Sequence, residues 1–286
     1  MNSGDIRNKT RPFHGKRSTV TRLLEIIVGN TKDKLRCGQP ALGGWMMIGH
    51  PTVAEVMAGE GFDWLAVDME HTSTGVRAFH EIALAVKGSG CDLLARLHSC
   101  DPVQAKLVLD AGAAGIIVPS VNTPEEAVRA VAMAKFPPQG FRGASFCRAS
   151  DHGRNFAAYY AAHNQNVLVV VMLEHVEAVR RADEILATPG IDAALIGPYD
   201  LSASMGLAGQ VDHPQMVAAQ QTILDACRRQ GVAAGIHVVS NDTAVLEGRI
   251  EAGYQFIACG LDTLFIMQGC RQMLAVRGAA NKGTNR

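Results

Sequence analysis

The segment Asp68-Met69-Glu70-His71 follows directly on the apolar run Trp64-Leu65-Ala66-Val67. A run of that composition reads as a buried strand, so two carboxylates and an imidazole emerge just where the strand should end. Similar groups close other apolar runs: Arg96 within LLARL and His98 just after it, and Glu174 at the end of VLVVVMLE with His175 next. Asp200 lies in the Gly197-Pro198-Tyr199-Asp200 segment after AALIGP, and His237 lies within AAGIHVV. Glu174 and Asp200 follow consecutive runs. Two carboxylates on neighbouring strand ends can share one hard divalent cation such as Mg²⁺, Mn²⁺ or Co²⁺, with water or substrate oxygens completing its shell. The plainer alternative is a pair of solvated loop acids. Arg96 interrupts an apolar run, and a buried guanidinium needs an anion. A substrate carboxylate held bidentately would serve, as would a salt bridge to Asp68 or Glu70. His71 offers an imidazole, a side-chain type suited to general-base work; a satisfied core histidine is the alternative.

These groups need a scaffold that brings strand ends together. From residue 41 onward eight near-continuously apolar runs alternate with helical segments: 42–48, 64–68, 93–97, 115–120, 167–174, 193–198, 233–239 and 256–260. Helices are expected over residues 51–60, 101–111, 123–135 and 242–252, from Pro in the first turn, Asp or Thr caps and Gly stops. Eight strand–helix units in this length predict a (β/α)8 TIM barrel, an α/β fold whose working groups sit at the carboxyl ends of the strands. An open doubly wound sheet would show a Gly-rich phosphate turn after the first strand. Gly43-Gly44 lies inside the first run and lacks that spacing. Residues 136–166 form a long connection rich in Arg, His and aromatics, the composition of a lid, binding loop or interface. Arg148 within it could add a cation to the site, or be structural.

Asp110 ends the helix expected over 101–111, where the helix dipole disfavours an anion by about 0.3–1 kcal/mol. Nothing local accounts for it. That helix runs back toward the rim opposite the strand-end groups, so Asp110 is placed to reach His71 of a neighbouring subunit rather than its own. No lysine lies in or closes any of the eight runs; Lys87, Lys106 and Lys135 fall on helices. Schiff-base chemistry needs a lysine in the barrel mouth, so a metal-dependent route is expected.

The chain has 286 residues, with 27 Lys+Arg against 27 Asp+Glu. The balance argues against nucleic acid or an anionic membrane as the main partner, and no apolar run approaches the ~18 residues of a spanning helix. The seven cysteines include no CxxC pair, so reduced thiols in a cytoplasmic protein are expected. Residues 1–36 hold nine Lys/Arg against Asp5, Glu25 and Asp33. They read as a solvated N-terminal extension with a short helix near residues 21–28. The barrel is expected over 37–278 and a tail over 279–286.

The segments HPTVAE (50–55), GFDWLAVDMEH (61–71), LDAGAAGIIVP (109–119), FPPQGFRG (136–143) and IGPYDLSASMG (196–206) resemble the HpcH/HpaI family of class II pyruvate aldolases. The resemblance runs in order from about residue 34 to 275. It implies a metal-dependent aldolase acting on a 2-oxoacid and an aldehyde. It also implies a homo-hexamer, a dimer of trimers with the last helix exchanged between subunits. The metal-ligand pair matches Glu174 and Asp200, the arginine that holds the 2-oxoacid matches Arg96, and the catalytic histidine and its aspartate partner match His71 and Asp110. Substrate binding falls on Gly197, Pro198, Tyr199 and Asp200, the backbone amides around Tyr199-Asp200 receiving the carboxylate, together with Trp45, Met172 and His237. Two positions depart from the family pattern. Met172 replaces a Gln that touches the pyruvate end, and a thioether donates no hydrogen bond. His237 stands where the aldehyde pocket is commonly apolar, which points to a polar or anionic acceptor.

Overall fold

The computed structural model describes residues 30–240 and 242–275. Eight parallel strands close into a barrel in chain order: β1 (Ala41–Met46), β2 (Trp64–Asp68), β3 (Asp92–Arg96), β4 (Gly115–Val118), β5 (Leu168–Met172), β6 (Ala193–Ile196), β7 (Ala233–Val238) and β8 (Phe256–Cys259). The expected TIM barrel is the observed fold. Its helices are α1 (Thr31–Arg36), α2 (Pro51–Gly59), α3 (Val76–Ala85), α4 (Pro102–Asp110), α5 (Pro124–Ala134) and α6 (Phe156–Asn166). They continue with α7 (Val176–Arg180), α8 (Ala182–Leu186), α9 (Pro198–Ser204), α10 (Pro214–Gln230), α11 (Thr243–Glu251) and α12 (Asp262–Leu274). Among the described residues no helix is long and apolar enough to cross a membrane. All seven cysteines are free thiols.

The strands are apolar throughout because both faces are covered. Leu65, Val67, Ala95, Val169, Val171 and Ile196 join the layer beneath the helices. The alternate residues Trp45, Trp64, Ala66, Leu94, Ile117, Val170, Met172, Leu195 and Phe256 fill the barrel. This is the period of two expected of a pleated strand. Inside, Trp64 stacks on Phe256 at 4.1 Å between ring centroids. Gly43 makes room for that pair, since a Cβ there would stand 2.0 Å from Trp64 Cδ2. The glycine belongs to barrel packing and not to a phosphate turn. Helix starts follow the punctuation read from the sequence. Asp101 caps α4 by accepting from Val103 N, and Thr123 and Glu126 form a reciprocal capping box on α5.

Two expectations need correction. Thr31–Arg36, assigned to the extension, belongs with the barrel, because α1 is bonded to it. Lys32 Nζ donates to the Val167 carbonyl at 2.6 Å and pairs with Asp192 at 3.0 Å. Thr31 N donates to Asp92 at 2.8 Å, and Leu35 joins the barrel interior. The helix expected near residues 21–28 lies outside the described residues, as does the tail. The connection 136–166 is not one long loop. It contains a 3-10 turn, Arg148–Gly153, and ends in α6, whose His163 is buried against the barrel. Finally, α12 leaves the barrel after its first turn. Asp262 is buried, accepting from Met47 N and Ile48 N, whereas Phe265 and every residue after it in the helix are exposed.

Candidate active site

Parallel register places Asp68 of β2 directly beside Arg96 of β3. Both point into the barrel, on the same alternation as Trp64, Ala66 and Leu94. Arg96 Nη1 donates to Asp68 Oδ2 at 3.0 Å, and Trp45 Nε1 donates to the same oxygen at 2.9 Å. The other oxygen, Oδ1, accepts from the backbone N–H groups of Glu70 and His71, each at 2.9 Å. Asp68 therefore shapes the turn that follows it, which accounts for its place in the DMEH segment. Arg96 Nη2 lies 2.5 Å from Glu70 Oε2 and 3.7 Å from Glu174 Oε2. His71 is exposed, with Nε2 3.8 Å from Glu70 Oε2. The alternatives for Arg96 thus resolve into one arrangement: a buried cation facing three acids.

Three charges cannot be balanced by one guanidinium. Glu70 Oε2, Glu174 Oε2 and Arg96 Nε are buried without a hydrogen-bond partner. Burial pushes the Glu174 carboxyl up to about 7, against the pull of Arg96 and the Ser120 N–H, with Asp200 and Glu70 adding to the rise. Burial also raises Glu70, though Arg96 and His71 pull the other way. Asp68 is buried too, but Arg96, the His71 N–H and Trp45 outweigh that and hold its carboxyl below the ordinary value. A buried acid with one free oxygen, in a mouth with surplus negative charge, suits a divalent cation. The ligands on offer are Glu174 and Asp200. Among the described residues no group of three or more His, Cys, Asp or Glu converges on one point, so water or substrate oxygens would complete the shell. Carboxylate oxygens are the donor type of a hard cation rather than of a closed zinc site.

Glu174 Oε1 is already engaged. It accepts from Ser120 N at 2.8 Å, with Ser120 Oγ at 3.4 Å. Ser120 follows β4, a strand end to which the sequence assigned no chemistry. Its left-handed backbone (φ 52°) has no signature in a Ser side chain. Gly197 faces Glu174 from the end of β6; a Cβ there would stand 2.5 Å from Oε2 and 3.2 Å from Met172 Cε. Glycine keeps this corner open, and Met172 lines it with a thioether. Pro198, Tyr199 and Asp200 form the first turn of α9, which has no side-chain cap, and Tyr199 and Asp200 are exposed. His237 packs its ring against Trp45, centroids 4.7 Å apart, and the Arg96 guanidinium lies over the same indole at 5.7 Å. Trp45, Asp68, Arg96, Met172, Glu174, Gly197 and His237 thus share one barrel mouth.

Other candidates lie elsewhere or do other work. Asp110 does have a tertiary reason: its Oδ1 accepts from the buried Arg142 Nη2 at 2.7 Å, and that arginine also contacts His163. The acid is an ion-pair partner for the 136–166 connection, and His71 of the same chain is not in contact with it. Arg148 is no cation of the mouth, because its two Nη groups donate at 2.7 Å to the Ala111 and Ala83 carbonyls at the ends of α4 and α3. His98 is exposed beside Gln104, and His175 caps α7.

The family model for HpcH/HpaI aldolase/citrate lyase matches residues 42–268. The chain belongs to that family. The chain is a carbon–carbon lyase. Among curated proteins it is 37% identical over 253 residues to 4-hydroxy-2-oxo-heptane-1,7-dioate aldolase of Salmonella paratyphi B, covering 88% of this chain and 95% of that one. Among solved structures it is similar to an HpcH/HpaI aldolase/citrate lyase family protein from Burkholderia cenocepacia. The TM-score is 0.82 at 34% identity, covering 86% of this chain and 98% of the other. It is also similar to Citrate Synthase SbnG, with a TM-score of 0.77 at 25% identity, covering 88% and 98%.

Proposed function

We propose that the protein is a divalent-metal-dependent aldolase that cleaves or forms 4-hydroxy-2-oxoacids, exchanging them with pyruvate and an aldehyde. The observation that carries this reading is the mouth itself: Arg96 among three acids, with Glu174 Oε2 free beside Gly197. The curated aldolase relative points the same way. Glu174 and Asp200 would hold the cation, which when bound draws charge from the 2-oxoacid carbonyl and so stabilises an enolate. Arg96 turns its donors from Glu70 and Glu174 to the substrate carboxylate, helped by the uncapped amides of Tyr199 and Asp200. His71 takes the proton of the 4-hydroxyl. The C3–C4 bond then breaks, C4 leaves as the aldehyde carbonyl, and the bond's electrons pass into the pyruvate enolate. A proton delivered to C3 completes the balance.

Chelator should abolish pyruvate release from a 4-hydroxy-2-oxoacid, and Mg²⁺, Mn²⁺ or Co²⁺ should restore it. Borohydride with pyruvate should leave the enzyme active, since among the described residues no lysine lies in or closes a barrel strand. Full turnover after demetallation, or borohydride trapping, would overturn the reading. The likeness to a citrate synthase favours a second use of the same enolate, and oxaloacetate decarboxylation is its simplest assay. Carbon dioxide release compared with aldehyde release separates the two. No turnover of either kind would leave a 2-oxoacid-binding protein.

His237 bears on the acceptor. Its Nε2 lies 3.3 Å from the Gly260 carbonyl, which can only accept, so Nε2 carries the proton. Burial holds the ring down to about 4, so it is neutral at working pH. What remains for a ligand is the Nδ1 lone pair. The expectation of a polar or anionic aldehyde thereby narrows to one bearing a hydroxyl. His237→Leu should lower kcat/KM for hydroxylated aldehydes by roughly 5- to 150-fold, the equivalent of ~1–3 kcal/mol, and leave aliphatic aldehydes unchanged or improved. Parallel loss in both classes would reduce His237 to packing against Trp45.

The assembly is proposed to be a homo-hexamer with α12 lying on another subunit. Phe265, Ile266, Met267, Met273 and Leu274 are exposed on that helix, and an apolar groove beside it is lined by Val53, Val56, Met57 and Phe62. Large exposed apolar faces of this kind mark interfaces.

A further inference from the structure

We propose that Ser120 is a positioning residue that makes Glu174 a one-oxygen metal ligand, by occupying Oε1 and leaving Oε2 to the cation. The inference rests on the metal-aldolase reading. Ser120 is one of three non-glycine residues with positive φ among the described residues; the other two, Asp151 and His152, lie in the 3-10 turn far along the chain. Such a backbone is disfavoured for residues with a Cβ and persists only where the surroundings over-determine it. Here they do so on both sides. Val121 N donates to the Met172 carbonyl at 3.1 Å, tying the segment to the end of β5. Asn122 Nδ2 donates to the Ser120 carbonyl at 3.1 Å, and Asn122 N is itself held by Glu126 Oε2 at 2.6 Å within the cap of α5.

The result is that both Ser120 donors face one carboxylate oxygen. N–H stands at 2.8 Å and Oγ at 3.4 Å from Glu174 Oε1. The same carboxylate's Oε2 has no hydrogen-bond partner and lies where Gly197 lacks a side chain. A carboxylate free to rotate could chelate with both oxygens. One held at Oε1 presents a single, fixed lone-pair direction. Partners that orient a metal ligand are typically worth 10- to 100-fold in metal affinity.

The test measures Mn²⁺ binding by electron paramagnetic resonance and thermal melting of the metal-free protein. In Ser120→Val the β-branched side chain opposes positive φ, so the peptide turns and takes its N–H off Glu174. Mn²⁺ should bind about 10- to 100-fold more weakly. Ser120→Gly accepts the native φ without strain and keeps the N–H, so it should bind at least several-fold more tightly than the Val variant. Asn122→Ala releases the Ser120 carbonyl without touching the carboxylate and should also weaken Mn²⁺. It decides the matter if Ser120→Val does not fold. Mn²⁺ affinity unchanged in these variants, with only the melting temperature lowered, would overturn the proposal and leave Ser120 a turn residue. Absence of Mn²⁺ binding by the wild-type protein would overturn the aldolase reading, and the proposal with it.

Discussion

His71→Ala should lower kcat/KM for aldol cleavage by about 10²- to 10⁴-fold, the usual worth of a positioned general base, with little change in melting temperature. The two halves of this expectation come from different atoms. Asp68 holds the turn through the His71 backbone N–H, which alanine keeps, while the ring is exposed, with Nε2 3.8 Å from Glu70 Oε2. Removing an exposed side chain of that kind costs at most about 0.5 kcal/mol. Oxaloacetate decarboxylation reaches the enolate without deprotonating an alcohol, so the variant should lose much less of that activity. Equal losses in the two reactions would remove His71 from the base role. The variant also tests assembly. Asp110 is proposed to serve the His71 of a neighbour through the oxygen that Arg142 leaves free. Mixing His71→Ala with Asp110→Asn subunits should therefore regenerate some intact pairs and recover part of the activity. No recovery after confirmed subunit exchange would place Asp110 in the Arg142 ion pair alone.

Arg96→Leu should destabilise the metal-free protein by about 3–5 kcal/mol, because it strands buried carboxylates without their counter-charge. Asp68 and Glu174 are both under 5% exposed, so solvent does little to screen them. The loss should depend on pH, and its sign follows from the two acids. Burial holds the folded Glu174 carboxyl at about 7, above the ordinary 4.5. It therefore costs stability at high pH, and the cost is relieved as pH falls from 7 toward 4.5. Despite burial, Asp68 sits below its ordinary 3.8, chiefly through Arg96. It contributes stability above that value and loses it as pH falls through the folded one. Without Arg96 both carboxyls move up, and Asp68 joins Glu174 in preferring the protonated form. Urea unfolding should then show the largest deficit near pH ~8 and a smaller one near pH ~5. A deficit independent of pH would trace the loss to packing over Trp45 rather than to charge.

The sequence by itself determined the barrel, and with it which strand ends carry chemistry. Eight apolar runs need two covered faces, and the Pro, Asp and Thr signals that start the helices act within a few residues. Both are local rules, and β2, β3, β5, β6 and β7 end at or beside Asp68, Arg96, Glu174, Asp200 and His237 as those rules require. Tertiary structure alone decided how the charges pair. Whether Arg96 meets Asp68, Glu70, Glu174 or a substrate depends on strand register and on rotamers, and the answer was contact with all three acids. Asp110 looked misplaced because its partner Arg142 is 32 residues away, in a connection whose path no local rule predicts. Lys32 likewise read as part of a basic tail until Asp192 and the Val167 carbonyl, brought together by barrel closure, gave it a buried place. Ser120 is the clearest case. A serine has no intrinsic preference for positive φ, so its conformation is set by Val121, Asn122 and Glu174, residues that meet only once β4 and β5 are paired.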